Sequence, residues 1–424
     1  MATNNQEYDS EPLQEYDSRV YTDEQLPKRA RDGLRQHINT KLATDSKEKT
    51  RLQLQGLEGS KWKIKATQYV GIVSLRGGPT ISIRPKVPAD LFELIQYTRD
   101  IQPNTIPTPT TVETGREFVD AIARLFENEL EHVLTQGLAR SYRRVSETTN
   151  HVRGRIDVPR QIRRHGPKPT KFECTYDKLT VDTTLNRAIL YATVLLRRLS
   201  SKGISKQLRQ HEHSLRQQVT LTPIRPIELQ QISLSRLRSH YEHIITITQS
   251  VLEAAYIENL RAGEQPTFGL LINMNRLFEN VVAKAVAEAL EPHGWEVVDD
   301  HTCENLLSNG PRTITTEPDL LARNQDRQIA FVGDAKYKTE GTGKNIPRPD
   351  DVYQAVSYQL THDVPGILFY PRTESTNGRN TYDVQNIDDS LSVVHIPLKK
   401  AGGKSIEETI GQEISEQLEA ILCE

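Results

Sequence analysis

Residues 317–338 read EPDLLARNQDRQIAFVGDAKYK and carry the strongest structural signal in the chain. Two apolar runs, LLA and IAFV, flank a polar turn, which is the pattern of a β-hairpin. Folding this hairpin brings Asp319 near Asp334 across the two strands. Lys336 lies two residues beyond Asp334, so both side chains leave the same face of the strand. The sequence therefore predicts two carboxylates and one ammonium group that converge at the end of a sheet.

The chemistry of these three groups favours a magnesium site. Carboxylate oxygens are hard ligands that suit Mg²⁺ better than zinc, with Mn²⁺ as an alternative. A bound metal would lower the pKa of a water molecule and polarise a phosphate oxygen, while a lysine positions the water or stabilises developing charge. The competing interpretation is a surface hairpin closed by a salt bridge. The spacing of Pro318-Asp319 and Asp334-Ala-Lys336 favours the metal site.

A third carboxylate is predicted on an amphipathic helix over residues 270–291. At about 100° per residue, Glu279 falls within the apolar arc, between Val286 and Leu290. A carboxylate on a buried face needs a cation, a hydrogen-bond donor or a metal as its partner. Glu279 is therefore a candidate metal ligand, and the other two kinds of partner stay open.

A polar pair follows on another predicted helix. Residues 351–358 read DVYQAVSY, in which Gln354 and Tyr358 are four residues apart and share one helix face. Next to two carboxylates, an amide and a phenol would order a scissile phosphate or a water molecule. The alternative is an ordinary polar helix surface.

The N-terminal half is predicted to contain strands over residues 61–87, where KWKIKATQYVGIVSL and TISIRPKV flank the turn RGGP. Apolar residues at helical spacing predict helices over residues 89–100, 116–136, 182–201 and 226–262. Gly137 is the expected C-cap of the second helix. The break from Gly263 to Gly269 is the expected start of a C-terminal domain.

Composition excludes several classes of protein. The chain has 424 residues, 36% of them hydrophobic and 26% charged, with a net charge of −2. No run of apolar residues is long enough to cross a membrane, and the polar N-terminus lacks the apolar region of a signal peptide. Three scattered cysteines fit a reducing compartment. We expect a soluble cytoplasmic protein with no membrane partner.

The charges are unevenly distributed. Residues 1–28 are rich in acidic side chains and repeat the word EYDS, which predicts a disordered acidic tail. Residues 137–171 are strongly basic and are a candidate DNA-binding surface, with a solvated or partner-facing surface as the alternatives. The candidate DNA-binding side chains are Arg140, Arg143, Arg144, Arg153, Arg155, Arg163 and Arg164.

The predicted fold class is mixed α/β, with four segments along the chain. They are the acidic tail (1–28), a β-rich N-terminal domain (29–110), a basic helical middle region (111–265) and a C-terminal domain (266–424). The loop AGGKS at 401–405 resembles a phosphate-binding loop, but that motif would need glycine where Leu398 stands. We therefore expect that this chain binds no nucleotide.

The order of these motifs resembles the PD-(D/E)xK nuclease superfamily: a helix glutamate, Pro-Asp, Asp-Ala-Lys on a strand, then Gln-x-x-x-Tyr on a helix. More closely, the chain resembles the McrC family, the nuclease subunit of McrBC modification-dependent restriction systems. The resemblance covers most of residues 60–370. It rests on YVGIVSLRGGPTISIRPKV, HVRGRID, CTYDKLTVDTTLNRAIL, MNRLFEN, PDLLA and GDAKYK, which occur in the family's order.

The resemblance implies a C-terminal Mg²⁺-dependent DNA endonuclease domain, with a central mixed sheet flanked by helices. It also implies an N-terminal region that docks on a hexameric McrB-like AAA+ GTPase and stimulates it, while that partner recognises methylated cytosine. Carried over by motif, Asp319 and Asp334 would hold the metal, Glu279 would complete its shell, Lys336 would be the catalytic lysine, and Gln354 and Tyr358 would be auxiliary. Asp334 stands where many members have glutamate; both occur in the superfamily.

The predicted function is that of a Mg²⁺-dependent endonuclease subunit of a GTP-driven, methylcytosine-dependent restriction complex. Double-stranded DNA, expected to be methylated, is the substrate. Because one active centre cuts one strand, a double-strand break requires two copies of the chain. Two alternatives stay open: a non-catalytic adaptor that stimulates the partner NTPase, and a stand-alone defence nuclease of the same superfamily.

Overall fold

The protein is described from a computed structural model. It describes residues 11–35, 51–98, 115–166, 170–230, 240–257, 268–298, 304–309, 312–338, 347–374, 376 and 379–422. The chain divides into two compact units. A discontinuous unit combines residues 1–121 with 256–424, and a central unit comprises residues 122–255.

The N-terminal part of the discontinuous unit is built largely of strands. Its elements are β1 (Leu13–Gln14), β2 (Ser18–Thr22), α1 (Lys28–Gly33), β3 (Leu52–Leu57), β4 (Lys61–Ala66), β5 (Tyr69–Ser74), β6 (Thr80–Arg84) and α2 (Leu91–Thr98). Strands β2, β4 and β3 form an antiparallel sheet in that order. The strands predicted over 61–87 and the helix predicted over 89–100 are confirmed.

The acidic segment differs from its prediction. The expectation of a disordered tail over 1–28 is wrong for residues 11–28, which form β1, β2 and the start of α1. Leu13, Tyr21 and Leu26 are buried in the N-terminal core, and β1 pairs in parallel with β6. The prediction gave weight to the acidic composition of the segment and overlooked these few apolar residues. They bury enough surface to order it. Residues 1–10 lie outside the described residues.

The central unit combines helices with a small sheet. Its elements are α3 (Gly115–Gln136, which begins in the other unit), β7 (Ser141–Thr149), β8 (Arg155–Ile156), α4 (Val158–His165), β9 (Phe172–Thr180), α5 (Thr184–Leu199), α6 (Lys202–Arg216), α7 (Pro226–Gln230), α8 (Glu242–Ala254) and β10 (Ala255–Ile257, which ends in the other unit). Strands β7, β9 and β8 form an antiparallel sheet in that order. The helix predicted over 116–136 ends as expected, since Gly137 takes φ +99° and donates to Val133 O.

The helix predicted over 226–262 is not continuous in the structure. Helix α7 begins at Pro226, and α8 ends at Ala254, where the chain becomes the extended strand β10. Tyr256 and Ile257 belong to residue types that favour extended backbone, which explains why the helical pattern stops there. Residues 231–239 and 258–262 of the predicted helix lie outside the described residues.

The C-terminal part of the discontinuous unit is a mixed sheet with helices packed against it. Its elements are β11 (Phe268–Asn273), α9 (Met274–Leu290), β12 (Glu296–Val298), β13 (Glu304–Asn309), β14 (Arg312–Thr316), β15 (Leu320–Arg323), β16 (Ile329–Ala335), α10 (Pro349–His362), β17 (Gly366–Pro371), β18 (Arg379–Asp383), β19 (Ser390–Ile396) and α11 (Ile406–Leu422). The six-stranded sheet has the order β12-β15-β16-β17-β19-β18. Its centre is parallel and its flanks are antiparallel, which confirms the predicted mixed sheet.

Strand β11 changes the start of the predicted helix over 270–291, because the helix α9 begins only at Met274. Residues 268–273 pair antiparallel with β5 instead, in a five-stranded sheet of order β1-β6-β5-β11-β10. Asn273 caps α9 by accepting hydrogen bonds from two backbone N–H groups of its first turn. Segments assigned from the sequence to separate N- and C-terminal domains thus share one sheet.

The β5–β11 pairing requires a glycine. Gly71 has φ +139°, and a Cβ at this position would lie 2.0 Å from Leu270 O. Only glycine allows so close an approach between the two strands. No helix among the described residues has the length and apolar content needed to cross a membrane.

Candidate active site

The predicted hairpin is confirmed. Strands β15 and β16 pair antiparallel, with Leu320 opposite Gly333 and Leu321 opposite Val332. In the turn, Asn324 Oδ1 accepts the backbone N–H groups of Asp326 and Gln328, each at 3.0 Å. An asparagine that holds its own turn in this way defines the register of both strands.

The hairpin brings the two predicted aspartates together. Asp319 directly precedes β15, and Asp334 lies near the end of β16, between β15 and β17. The backbone N–H of Ala335 donates to Asp319 Oδ2 at 2.9 Å, which ties the two strand ends to each other. The two carboxylates differ in exposure: Asp319 is exposed, whereas Asp334 is 1% exposed.

Lys336 completes the predicted triad. Its Nζ lies 2.5 Å from Asp334 Oδ2, and 16% of its side chain is exposed. Its backbone N–H donates to Phe369 O on β17 at 2.8 Å, so the strand end is held by the sheet. The spacing of two residues in the sequence thus places both groups on one face, as expected.

The electrostatics of the triad are those of a crowded acidic site. Burial, followed by the negative charge of Asp319, raises the pKa of Asp334 to about 7, against the opposing effect of Lys336. Burial alone would lower the pKa of Lys336, but Asp334 and the other nearby aspartates outweigh it and raise that pKa. A perturbed carboxyl with a specific cationic partner is typical of functional sites.

Glu279 on α9 belongs to the same electrostatic group. Its side chain is half-buried, and its pKa is raised by burial and then by the charge of Asp319, while Lys336 and Arg276 act in the opposite direction. The sequence placed this carboxylate on the apolar arc of the helix, and the structure shows the reason. Glu279 is near enough to Asp319 and Lys336 of the hairpin for their charges to shift its pKa.

These donors fit a hydrated divalent cation. Asp334 Oδ2 is paired with Lys336 Nζ, whereas Asp334 Oδ1 is buried without a hydrogen-bond partner among the described residues, which is costly unless a cation takes it up. Within the described ranges, no three His, Cys, Asp or Glu side chains form a ready-made protein cage. Mg²⁺ commonly keeps several waters and uses one or two carboxylates, so the pair Asp319 and Asp334 suits it.

Gln354 and Tyr358 lie on α10 and are bonded within the protein, and their role in ordering a phosphate or a water molecule stays a prediction. Gln354 Nε2 donates to Tyr358 Oη at 2.5 Å, and Tyr358 Oη donates to Glu317 O at 3.0 Å. Burial, then the charge of Asp334, raises the pKa of Tyr358. The phenol therefore anchors the backbone two residues before Asp319.

Sequence reasoning missed Asp351, at the start of α10. It is 2% exposed, accepts from Lys338 Nζ at 2.5 Å, and accepts from Tyr370 Oη at 2.8 Å. This contact fastens α10 to the chain just after Lys336. An acidic residue in the first turn of a helix and the second lysine of DAKYK were the available signals.

The seven candidate DNA-binding arginines all lie on the surface of the central unit. Arg143 and Arg144 are neighbours on β7 and so leave opposite faces of its sheet. Arg144 Nε lies 3.4 Å from Asp177 Oδ1, and the Arg153 guanidinium lies 4.3 Å from the centre of the Tyr176 ring. The remaining ones lie on β8 (Arg155), on α4 (Arg163 and Arg164) and before β7 (Arg140). Their role as a DNA surface stays a prediction.

Comparison with known proteins identifies a family. The family described as McrBC 5-methylcytosine restriction system component matches residues 64–371. A chain of the half-complex of Thermococcus gammatolerans McrB AAA+ hexamers with bound McrC has a similar fold, with TM-score 0.61 and 16% identity over 97% of this chain and 99% of that chain. A chain of the Thermococcus gammatolerans McrBC complex aligns with TM-score 0.41 and 17% identity over 66% and 87%. No curated protein sequence matches.

Proposed function

This chain belongs to the McrBC 5-methylcytosine restriction system component family, and on that premise we propose that it is the DNA endonuclease subunit of a GTP-driven, methylcytosine-dependent restriction complex. The observation that carries the proposal is the convergence of Asp319, Asp334 and Lys336 at one end of the β15–β16 hairpin, inside a mixed sheet. Two neighbouring carboxylates beside an ammonium group match the needs of phosphodiester hydrolysis.

Asp319 and Asp334 would hold Mg²⁺, with Mn²⁺ as a substitute, and Glu279 would bind its water shell. When bound, the metal would supply a water of lowered pKa and would withdraw charge from the phosphate. Lys336 Nζ would orient the attacking water and donate to a phosphate oxygen as negative charge develops there. Asp334 Oδ2, 2.5 Å away, keeps Lys336 charged and aimed at the site.

The reaction would be an in-line displacement at phosphorus. A bond forms from the water oxygen to phosphorus and the bond to the leaving sugar oxygen breaks, while one proton of the water passes to solvent and the leaving oxygen takes up a proton from solvent. Gln354 and Tyr358 act as positioning residues. Tyr358 Oη holds the backbone at Glu317 and thereby fixes the position of Asp319, two residues later. A displacement of about 1 Å at a reacting group can cost two orders of magnitude in rate.

The proposed partner is a hexameric McrB-like AAA+ GTPase that this chain docks on and stimulates in the cytoplasm. The fold similarity to a chain of an McrB–McrC half-complex, over nearly the whole length of both chains, supports this proposal. GTP binding would belong to the partner. Exposed arginines of the central unit would contact the DNA, and two copies of the chain would meet to cut both strands.

The test is DNA cleavage by the wild type and Asp334→Asn, with Mg²⁺, GTP and the McrB-like GTPase of the same organism. Methylated and unmethylated plasmids are compared, and GTP turnover is followed in the same reactions. We expect the wild type to cut methylated plasmid, and Asp334→Asn to lose cutting while GTP stimulation persists. Stimulation without any cutting by the wild type would make the chain a non-catalytic adaptor. Cutting that needs no partner would make it a stand-alone nuclease.

A further inference from the structure

Tyr337 follows the proposed catalytic lysine in the sequence and is contacted by two side chains from the N-terminal region, Lys86 and Glu15. We propose that Lys86 and Glu15 are positioning residues that act through Tyr337 to aim Lys336 at Asp334. The inference rests on the proposed function, since it assigns a second layer of residues to the same site. On this proposal, residues of the N-terminal region influence the reaction at the site in the C-terminal sheet.

The contacts around Tyr337 are direct. Lys86 Nζ donates to Tyr337 O at 2.7 Å and lies 4.4 Å from the centre of the Tyr337 ring. Tyr337 Oη donates to Glu15 Oε2 at 3.1 Å, and the same oxygen accepts the backbone N–H of Lys86 at 2.8 Å. Tyr337 is 2% exposed, so these bonds are made away from water, where they hold their geometry well.

Helix α9 also contributes a neighbour to Tyr337. The ring of Phe278 lies 6.0 Å from the ring of Tyr337, and Phe278 directly precedes Glu279. Tyr337 thus has neighbours both in the N-terminal segment and on the helix that carries the third carboxylate. Neither neighbour alone would define its orientation, but both together leave it little freedom.

The orientation of Tyr337 sets that of Lys336. Tyr337 lies just beyond β16, at the centre of a three-residue turn, so a rotation of its backbone also turns the peptide group that it shares with Lys336. The backbone of Lys336 is fixed to Phe369 O, and Lys338 N donates to Lys336 O at 2.7 Å. With the backbone held at these two points, Lys336 can still be reoriented by a rotation of the backbone at Tyr337. The contacts of Tyr337 oppose that rotation.

Lys86 and Glu15 are suited to such a role by their charges. Both side chains are largely removed from water, and Lys86 Nζ also lies 4.7 Å from the Tyr16 ring. Burial lowers the pKa of Lys86 to about 8, with Glu15 opposing the shift and Arg348 and Lys338 adding to it. Burial raises the pKa of Glu15, and its contacts with Lys86 and Tyr337 oppose that rise. The Lys86 ammonium group thus contacts the rings of Tyr16 and Tyr337 and also binds the Tyr337 carbonyl.

The experiment compares Lys86→Met, Lys86→Arg and Tyr337→Phe with Lys65→Met, which alters an exposed lysine on β4. Methionine keeps the length of the stem and removes the charge and the donor. Three quantities are measured on the full complex: the single-turnover cleavage rate at saturating methylated DNA, the DNA concentration at half-saturation, and partner GTP turnover. Thermal unfolding verifies that each variant is folded.

A fourth measurement is independent of catalysis. Reductive methylation of the free chain, quantified for each lysine by peptide mass spectrometry, reports how firmly Lys336 is held. Lys336 is 16% exposed and paired with Asp334, so it should react slowly in the wild type. Lys178, on the central unit and 51% exposed, serves as the internal reference.

We expect Lys86→Met to lower the cleavage rate about tenfold and to speed labelling of Lys336 about threefold, with half-saturation and GTP turnover unchanged. Lys86→Arg should restore both values to near wild type, and Lys65→Met should change neither. Tyr337→Phe removes the phenol oxygen that contacts Glu15 and the Val87 backbone but keeps the ring and the carbonyl that Lys86 binds, so it should show a smaller shift in the same direction. It replaces Lys86→Met if that variant fails to fold.

The inference would be overturned if Lys86→Met showed the same Lys336 labelling and the same cleavage rate as the wild type. It would also be overturned if this variant lost cleavage, DNA binding and GTP stimulation in parallel. If the wild type cuts no DNA but Lys336 labelling rises in Lys86→Met and not in Lys65→Met, the proposed function fails and the positioning of Lys336 by Lys86 stands.

Discussion

Removing the charge of Asp334 should make the metal-free protein more stable while it abolishes cleavage. The carboxyl is buried and lies beside Asp319, which together raise its pKa from 3.8 to about 7 in the folded chain. The folded state therefore holds a proton there that the unfolded chain releases at lower pH. As the pH rises from about 4 to about 7, the ionised carboxylate becomes a growing cost to the folded state.

The size of this effect follows from the pKa shift. About three pKa units at roughly 1.4 kcal/mol each correspond to a loss on the order of 4 kcal/mol of unfolding free energy above pH 7. The attraction of Lys336 is already included, because the pKa reflects burial and Asp319 against that lysine. Asp334→Asn keeps the shape without the charge, so its stability should lack this decline.

The assay is urea unfolding of both proteins in EDTA at pH 4.5 and pH 8.5, followed by circular dichroism. At pH 8.5 the variant should be more stable than the wild type by an amount on the order of 4 kcal/mol, and at pH 4.5 the difference should fall to about 1 kcal/mol. Mg²⁺ at about 100 times its dissociation constant should stabilise the wild type by about 2.7 kcal/mol and the variant hardly at all. A variant less stable than the wild type at pH 8.5 in EDTA would refute the reasoning.

Three further perturbations test other parts of the structure. Lys336→Met should lower the cleavage rate by about 10²–10³-fold with DNA binding retained, since it removes the donor aimed at the phosphate, and a loss under fivefold in single-turnover assays would contradict its role. Tyr358→Phe breaks the bond to the backbone before β15 and should cost about 1 kcal/mol in unfolding free energy and roughly tenfold in cleavage, whereas Tyr353→Phe, on the exposed side of the same helix, should be silent. Equal effects of the two would show that the bond is unimportant. Gly71→Ala should destabilise by about 3 kcal/mol or more in thermal unfolding, because its Cβ would lie 2.0 Å from a β11 carbonyl oxygen, while Gly59→Ala meets no atom within 4 Å and should cost about 1 kcal/mol. Similar midpoints for both would contradict the close approach of the strands.

The hairpin and its triad could be predicted because their signals are local. Apolar runs around a turn with Asn324 predict two paired strands, and a spacing of two residues places Asp334 and Lys336 on one face. The polar pair on α10 was also found from its spacing, but its contact was not. Tyr358 bonds to a backbone carbonyl 41 residues earlier, and nothing in the helix itself indicates that partner.

The sequence by itself determined the elements with clear periodicity, the chemistry of the donors and the family, because these depend on residue type and short-range spacing. Tertiary structure alone decided that residues 11–28 are ordered, that β11 precedes α9, and that Glu15 and Lys86 reach Tyr337. It also decided the burial of Asp334, and with it the raised pKa. Each of these depends on which faces of distant segments meet. Local spacing defines a face, but only the packed core determines what lies against it.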